Sequence, residues 1–237
     1  MRAVNFADLP RVSGIILAGG KSRRMGKDKA FIEFEGKPIV AHVIEQMQSV
    51  CRELILVAND VAAYARFGVS IVPDVYPGKG SLGGLYTGLN AARYDHALAV
   101  ACDMPFLNRD LLAYLVSLAR DFDITIPRAT DLSKNIARDR QNSKRVHPLL
   151  AKEINLHPTH AIYSKNCLAP IHTKLMADEL RLIGFYDGLR VRVVEPAEID
   201  RFDPKHLSFF NANTPGDLAI AQALRDQHSD PNLDSTL

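Results

Sequence analysis

The residues best suited to chemistry lie together near the amino terminus, in Leu17-Ala18-Gly19-Gly20-Lys21-Ser22-Arg23-Arg24-Met25-Gly26-Lys27-Asp28-Lys29. Lys21, Arg23, Arg24, Lys27 and Lys29 put five cations into nine positions. The glycines lack a Cβ, so the backbone can approach a ligand closely and present its N–H groups. Peptide N–H groups with several cations suit a polyphosphate. Two familiar phosphate loops do not fit. A Walker loop needs four residues between its glycines and then Lys-Ser/Thr. Here five residues separate Gly20 from Gly26, and Asp28 stands where the hydroxyl should be. GxGxxG is absent from this stretch as well.

Asp103 is the next candidate. It follows the apolar run 97–102 and precedes Met104-Pro105. An aspartate there can serve simply as a turn residue. Beside a phosphate loop it also suits magnesium, which takes one or two carboxylates together with substrate phosphates. Two further segments carry polar side chains: 158–163, with His160, and Asn211-Ala212-Asn213-Thr214-Pro215. Their ordinary roles are a packed histidine and a helix cap with proline at the first helical position.

The elements that must position these residues alternate short apolar runs with amphipathic stretches, the pattern of a parallel sheet wrapped by helices. Strands are expected at 12–17, 31–34, 54–58, 69–72, 97–102, 124–126, 159–163 and 191–194. Apolar residues at 39, 40, 43, 44, 47 and 50 have helical spacing. Residues 73–84 read as a Gly/Pro-rich loop and 85–94 as the helix after it. Asn108 is placed to cap a helix over 111–120. Helices are also expected at 166–176, at 177–185 and after Pro215. Residues 131–157 break the pattern: Lys134, Arg138, Arg140, Lys144, Arg145 and Lys152 outnumber the acids, and periodicity is weak. A disordered surface insertion is the expectation, with a basic flap toward an anionic acceptor as the alternative.

Composition narrows the class. The chain has 237 residues, 29 Lys+Arg against 27 Asp+Glu, and 47% hydrophobic residues. That is enough chain for a sizeable core, and the near balance of charge gives no reason to expect nucleic acid or a membrane surface as partner. Cys51, Cys102 and Cys167 are far apart and are expected as free thiols in a reducing cytosol. No apolar h-region opens the chain and no apolar run reaches 18 residues, so a cytoplasmic protein is expected.

The 17–30 stretch resembles the signature of the molybdenum cofactor guanylyltransferases, within the wider nucleotidyltransferase group. The resemblance extends over about residues 10–225, apart from the basic segment. It implies an α/β protein with the three-layer Rossmann-like nucleotidyltransferase fold, a mainly parallel sheet with helices on both faces. One domain over 10–225 is expected, with the insert 131–157 and a flexible tail 226–237. The implied reaction is GMP transfer from GTP to molybdopterin with Mg2+, releasing pyrophosphate, and molybdoenzyme chaperones are the implied protein partners. Gly19-Gly20 resembles the guanylyl enzymes, whereas cytidylyl enzymes more often have Ala-Ala-Gly. A cytidylyltransferase is therefore the alternative, and a non-catalytic nucleotide-binding adaptor the alternative of another class.

The resemblance also implies roles. Leu17, Ala18, Gly19 and Gly20 match the segment holding the nucleotide, with Asn59 and Asp74 as further nucleotide contacts. Arg24 and Lys29 match the cations over the triphosphate, and Asp103 the metal-binding aspartate. Gly80-Ser81-Leu82-Gly83-Gly84 resembles a Gly-Pro-Leu-Ala-Gly loop, with Ser81 in place of proline. Gly83, His160, Asn211 and Asn213 fall on the acceptor side.

Overall fold

The computed structural model describes residues 6–18, 29–129, 156–212 and 215–226. Its centre is β1 (Ser13–Leu17), buried at every position, as a strand covered on both faces must be. β1 pairs in parallel with β4 (Glu53–Val57) on one side and β6 (His96–Ala101) on the other. β5 (Ser70–Val72) adds to β4, again in parallel. Beyond β6 lies β8 (His160–Ser164), antiparallel both to β6 and to β7 (Ile124–Pro127). β9 (Val191–Val194) closes that side in parallel with β7. Among the described residues this makes a seven-stranded sheet in the order β5-β4-β1-β6-β8-β7-β9. A small separate hairpin joins β2 (Glu33–Phe34) to β3 (Lys37–Pro38).

Alternation along β1 divides the core into two layers. Val12 and Ile16 join the cluster formed with α1 (Ile39–Gln48) and α4 (Arg109–Ser117), which extends to Phe209 and Phe210. Ile15 and Leu17 join the opposite cluster, formed with α3 (Gly80–Ala91) and α5 (Leu168–Met176). Helices therefore cover both faces, as the resemblance implied. The described helices also include α2 (Val61–Tyr64), α6 (Pro196–Ile199) and α7 (Pro215–Asp226). Cys51, Cys102 and Cys167 are not in disulfides.

Helix α3 begins earlier than expected. Gly80, with φ +64°, turns the chain, and the glycines read as loop form the helix's first turns. Their role is close approach to the sheet. A Cβ on Gly88 would lie 2.5 Å from Ile15 Cγ2, and one on Gly84 would lie 3.2 Å from Leu17 Cδ2. Ser81 in place of proline thus sits inside a helix rather than in a loop. The helix expected over 177–185 does not form, because Asp178 takes φ +57° and ends α5. A 3-10 turn, Lys29–Phe31, replaces the first part of the strand expected over 31–34. Asn108 does cap α4, its Oδ1 accepting from the Leu111 N–H at 2.9 Å.

One tie on the far side of the sheet was not visible in sequence. The buried Asp123 carboxylate accepts from Asn166 Nδ2 at 2.7 Å and from the backbone and Nε of Arg190 at 3.0 and 3.1 Å. It links the entry of β7 to the end of β8 and the entry of β9. The Arg190 hydrogen bonds hold its carboxyl well below the usual carboxylate range.

Candidate active site

The carboxyl ends of the four parallel strands are joined by bonds that continue the sheet pairing past the strands. The Cys102 N–H donates to the Leu17 carbonyl at 3.2 Å, the Ala18 N–H to Val57 at 3.0 Å, and the Ala58 N–H to Val72 at 3.1 Å. Asn59 Oδ1 then accepts from the Asp74 N–H at 3.2 Å. Leu17, Ala18, Asn59, Asp74 and Asp103 therefore lie along one sheet edge, where open α/β sheets bind ligands. The C-terminal segment returns to the same edge, since the Ala212 N–H donates to the Asp103 carbonyl at 2.9 Å. That bond sets Asn211, partly buried, beside the metal candidate.

Lys29 opens the 3-10 turn at the end of the cation-rich sequence. The turn is anchored by Phe31, whose ring lies 4.9 Å from Tyr64 and 6.2 Å from Phe67. Those rings follow Asn59-Asp60, and Asp60 Oδ1 caps α2 by accepting from the Ala63 N–H at 3.2 Å. The aromatic contacts thus set this turn against the segment that follows β4. Gly19, Gly20, Arg24 and Asn213 lie outside the described residues, as does most of the insert.

Asp74 holds its own loop as well as facing the edge. Its Oδ1 accepts from the Tyr76 N–H at 2.9 Å and lies 2.9 Å from Thr87 Oγ1. Thr87 Oγ1 is also 2.9 Å from the Gly83 carbonyl and accepts from the Val75 N–H at 3.1 Å. Sequence reasoning missed Thr87. Its signal was a polar residue on the otherwise apolar buried face of α3. Gly83, expected on the acceptor side, is buried beneath this loop, and a Cβ there would lie 2.9 Å from the Tyr76 carbonyl. Its place in the fold is packing of the 73–79 loop on α3.

His160 is fully buried on β8, with its ring 4.7 Å from Phe209. Both ring nitrogens are buried without a hydrogen-bond partner. Burial pushes its pKa down to about 3, and neighbouring His157 adds to the effect. The ring is neutral and enclosed, although β8 runs antiparallel to β6 and sets His160 opposite Val100, at that strand's carboxyl end.

Among the described residues no three His, Cys, Asp or Glu side chains gather as a metal cage. Magnesium does not require one, because it keeps waters and binds substrate phosphates through one or two carboxylates. Asp103, a partly exposed carboxylate at the strand edge, fits that donor set. Nor, among the described residues, is any helix long and apolar enough to cross a membrane.

Known proteins resemble this chain in sequence and in fold. The probable molybdenum cofactor guanylyltransferase of Pelotomaculum thermopropionicum is 31% identical over 216 residues, 91% of this chain and 94% of that protein. The molybdenum cofactor guanylyltransferase of Desulfosudis oleivorans is 31% identical over 214 residues, 90% and 95% of the two chains. In fold, the molybdopterin-guanine dinucleotide biosynthesis protein A of Archaeoglobus fulgidus matches with a TM-score of 0.70 at 21% identity, covering 91% of this chain and all of that one. The family model of the MobA-like NTP transferase domain matches residues 14–186. With that model spanning well over half its length, the chain belongs to the MobA-like NTP transferase family.

Proposed function

We propose that this protein transfers GMP from GTP to molybdopterin, releasing pyrophosphate. The observation that carries the reading is the single sheet edge along which Leu17, Ala18, Asn59, Asp74 and Asp103 lie, tied by backbone bonds and by the Asn59 side chain. It agrees with relatives about 31% identical over most of their length being molybdenum cofactor guanylyltransferases.

In the proposed reaction an oxygen of the molybdopterin phosphate attacks the α-phosphorus of GTP. A new P–O bond forms, the bond to the β-phosphate bridge breaks, and pyrophosphate leaves with the electron pair. The attacking phosphate is largely dianionic near neutral pH, its second pKa being about 6. No strong general base is needed, in keeping with the burial of His160. The work left to the protein is alignment and charge stabilisation. The backbone of 17–20 holds the nucleotide, and Asn59 and Asp74 flank it. Arg24 and Lys29 stabilise charge on the α-phosphoryl and the leaving pyrophosphate. Asp103 would hold Mg2+, which when bound supplies neutralising charge to phosphate oxygens. Asn211 and Asn213 would orient groups on the acceptor side. The same reading makes this a cytoplasmic enzyme of one domain over 10–225, with molybdoenzyme chaperones as partners.

Calorimetric titration of the full chain with GTP, CTP, ATP and UTP in magnesium tests the nucleotide assignment. Selective GTP binding is expected. Preference for CTP would move the protein to the cytidylyl reading, and no binding to any of them would leave the adaptor reading.

A further inference from the structure

The amino edge of the sheet carries a feature the proposed reaction does not use. A cavity of about 590 Å³ lies below the starts of β1, β4 and β6. It is lined by Arg11 and Val12 ahead of β1, Arg52 ahead of β4, Tyr94 and His96 at the entry of β6, and Arg120 from the turn that follows α4. β1 is five residues long, so at about 3.3 Å per residue this cavity is about 16 Å from the nucleotide edge.

Three arginines, Arg11, Arg52 and Arg120, are among the residues that line it. Among the described residues Arg11, Arg52 and Arg120 take part in no ion pair, although other arginines of the protein do. Asp8 and Asp95 also line the cavity, so three permanent cations face two acids there. Glu53, the nearest acid in sequence to Arg52, is engaged by the Arg93 N–H at 2.6 Å. Like charges gathered at a concavity repel one another, and an anion relieves that cost. The planar guanidinium fork matches phosphate oxygens bidentately, which an ammonium cannot do. The volume lies in the range of small-molecule sites, and a concave wall carrying one aromatic ring favours a small ligand over a flat protein partner.

We propose that this cavity is a second ligand site, separate from the nucleotide edge, that binds an organic phosphate carrying a planar ring. Arg11, Arg52 and Arg120 take the phosphate and Tyr94 lies against the ring.

The test uses phenyl phosphate as probe, titrated into the 15N-labelled full chain with amide shifts followed. Saturable shifts are expected at Arg52, Tyr94 and His96. The double variant Arg52→Glu/Arg120→Glu should weaken binding by about tenfold or more. All three arginines are exposed, so these changes should leave the fold intact, checked by an unchanged melting temperature. Lys29→Ala should leave probe affinity unchanged. Shifts confined to Ala18, Asn59 and Asp103, or affinity lost with Lys29→Ala, would assign the probe to the nucleotide edge and overturn the proposal. Absence of saturation, or full binding by the double glutamate variant, would overturn it equally.

Discussion

The Ala212 N–H donates to the Asp103 carbonyl at 2.9 Å, closing a contact between residues more than a hundred positions apart. The bond uses only the backbone of Asp103, so its carboxylate can be changed without removing the tie. Asp103→Ala is expected to keep its fold and melting temperature while losing magnesium-dependent GMP transfer by at least about a hundredfold. Pyrophosphate release at saturating magnesium measures it. A near-normal rate would remove Asp103 from metal binding.

Lys29 sits on a turn whose Phe31 ring packs against Tyr64 and Phe67. Lys29→Ala should lower kcat by about two to three orders of magnitude, the scale of losing one preorganised charge. If only the KM for the acceptor rose, the assigned role would be wrong.

The α3 glycines separate two kinds of close approach. Alanine favours a helix over glycine by about 1 kcal/mol. At Gly84 the obstacle is the end of the Leu17 side chain at 3.2 Å, which can shift. At Gly88 the added carbon would lie 2.5 Å from the branched Ile15 side chain. Gly88→Ala is therefore expected to cost about 1–3 kcal/mol, as overpacking does, and Gly84→Ala to be nearly neutral. Urea denaturation of the two variants would show it; equal stabilities would contradict the packing account.

His160 gives the protein a pH-dependent stability. Its pKa is about 3 when folded and near 6.5 when unfolded, so between those values the unfolded chain binds the extra proton. Stability is complete above about pH 6.5 and falls as pH drops toward 3, by up to about 1.4 kcal/mol per pH unit. Asp123, whose carboxyl is held low, adds a second loss below its unfolded pKa of about 3.9. Denaturation at pH 7 and pH 5 should show the first loss in the native protein and a flatter response in His160→Leu. An equal slope in both would contradict it.

The sequence was most legible where local chemistry repeats. The apolar run ending at Leu17 became the central strand, Asn108 capped its helix, and Asp103 fell at a strand end. It was least legible where contacts span long separations. Nothing local marks Asp123 as a partner of Arg190, or Thr87 as the hydroxyl that holds the Asp74 loop. Helix boundaries misled in both directions. The run 80–84 reads as loop, yet it is helical because Gly83, Gly84 and Gly88 lie against the 73–79 loop and β1. The helix expected over 177–185 instead stops at Asp178, a left-handed residue that composition does not announce. His160 is distinguished from a ligand-facing histidine only by its burial against Phe209.

The central claim is the reaction itself, and product analysis tests it most directly. The purified full chain would be incubated with magnesium, molybdopterin and GTP or CTP, and the pterin products identified by mass spectrometry. A molybdopterin species heavier by one guanylyl group, formed from GTP with pyrophosphate release and far more slowly by Lys29→Ala, is the predicted result. A CMP adduct alone, or no adduct from either nucleotide while both pyrophosphate and pterin stay unchanged, would contradict it.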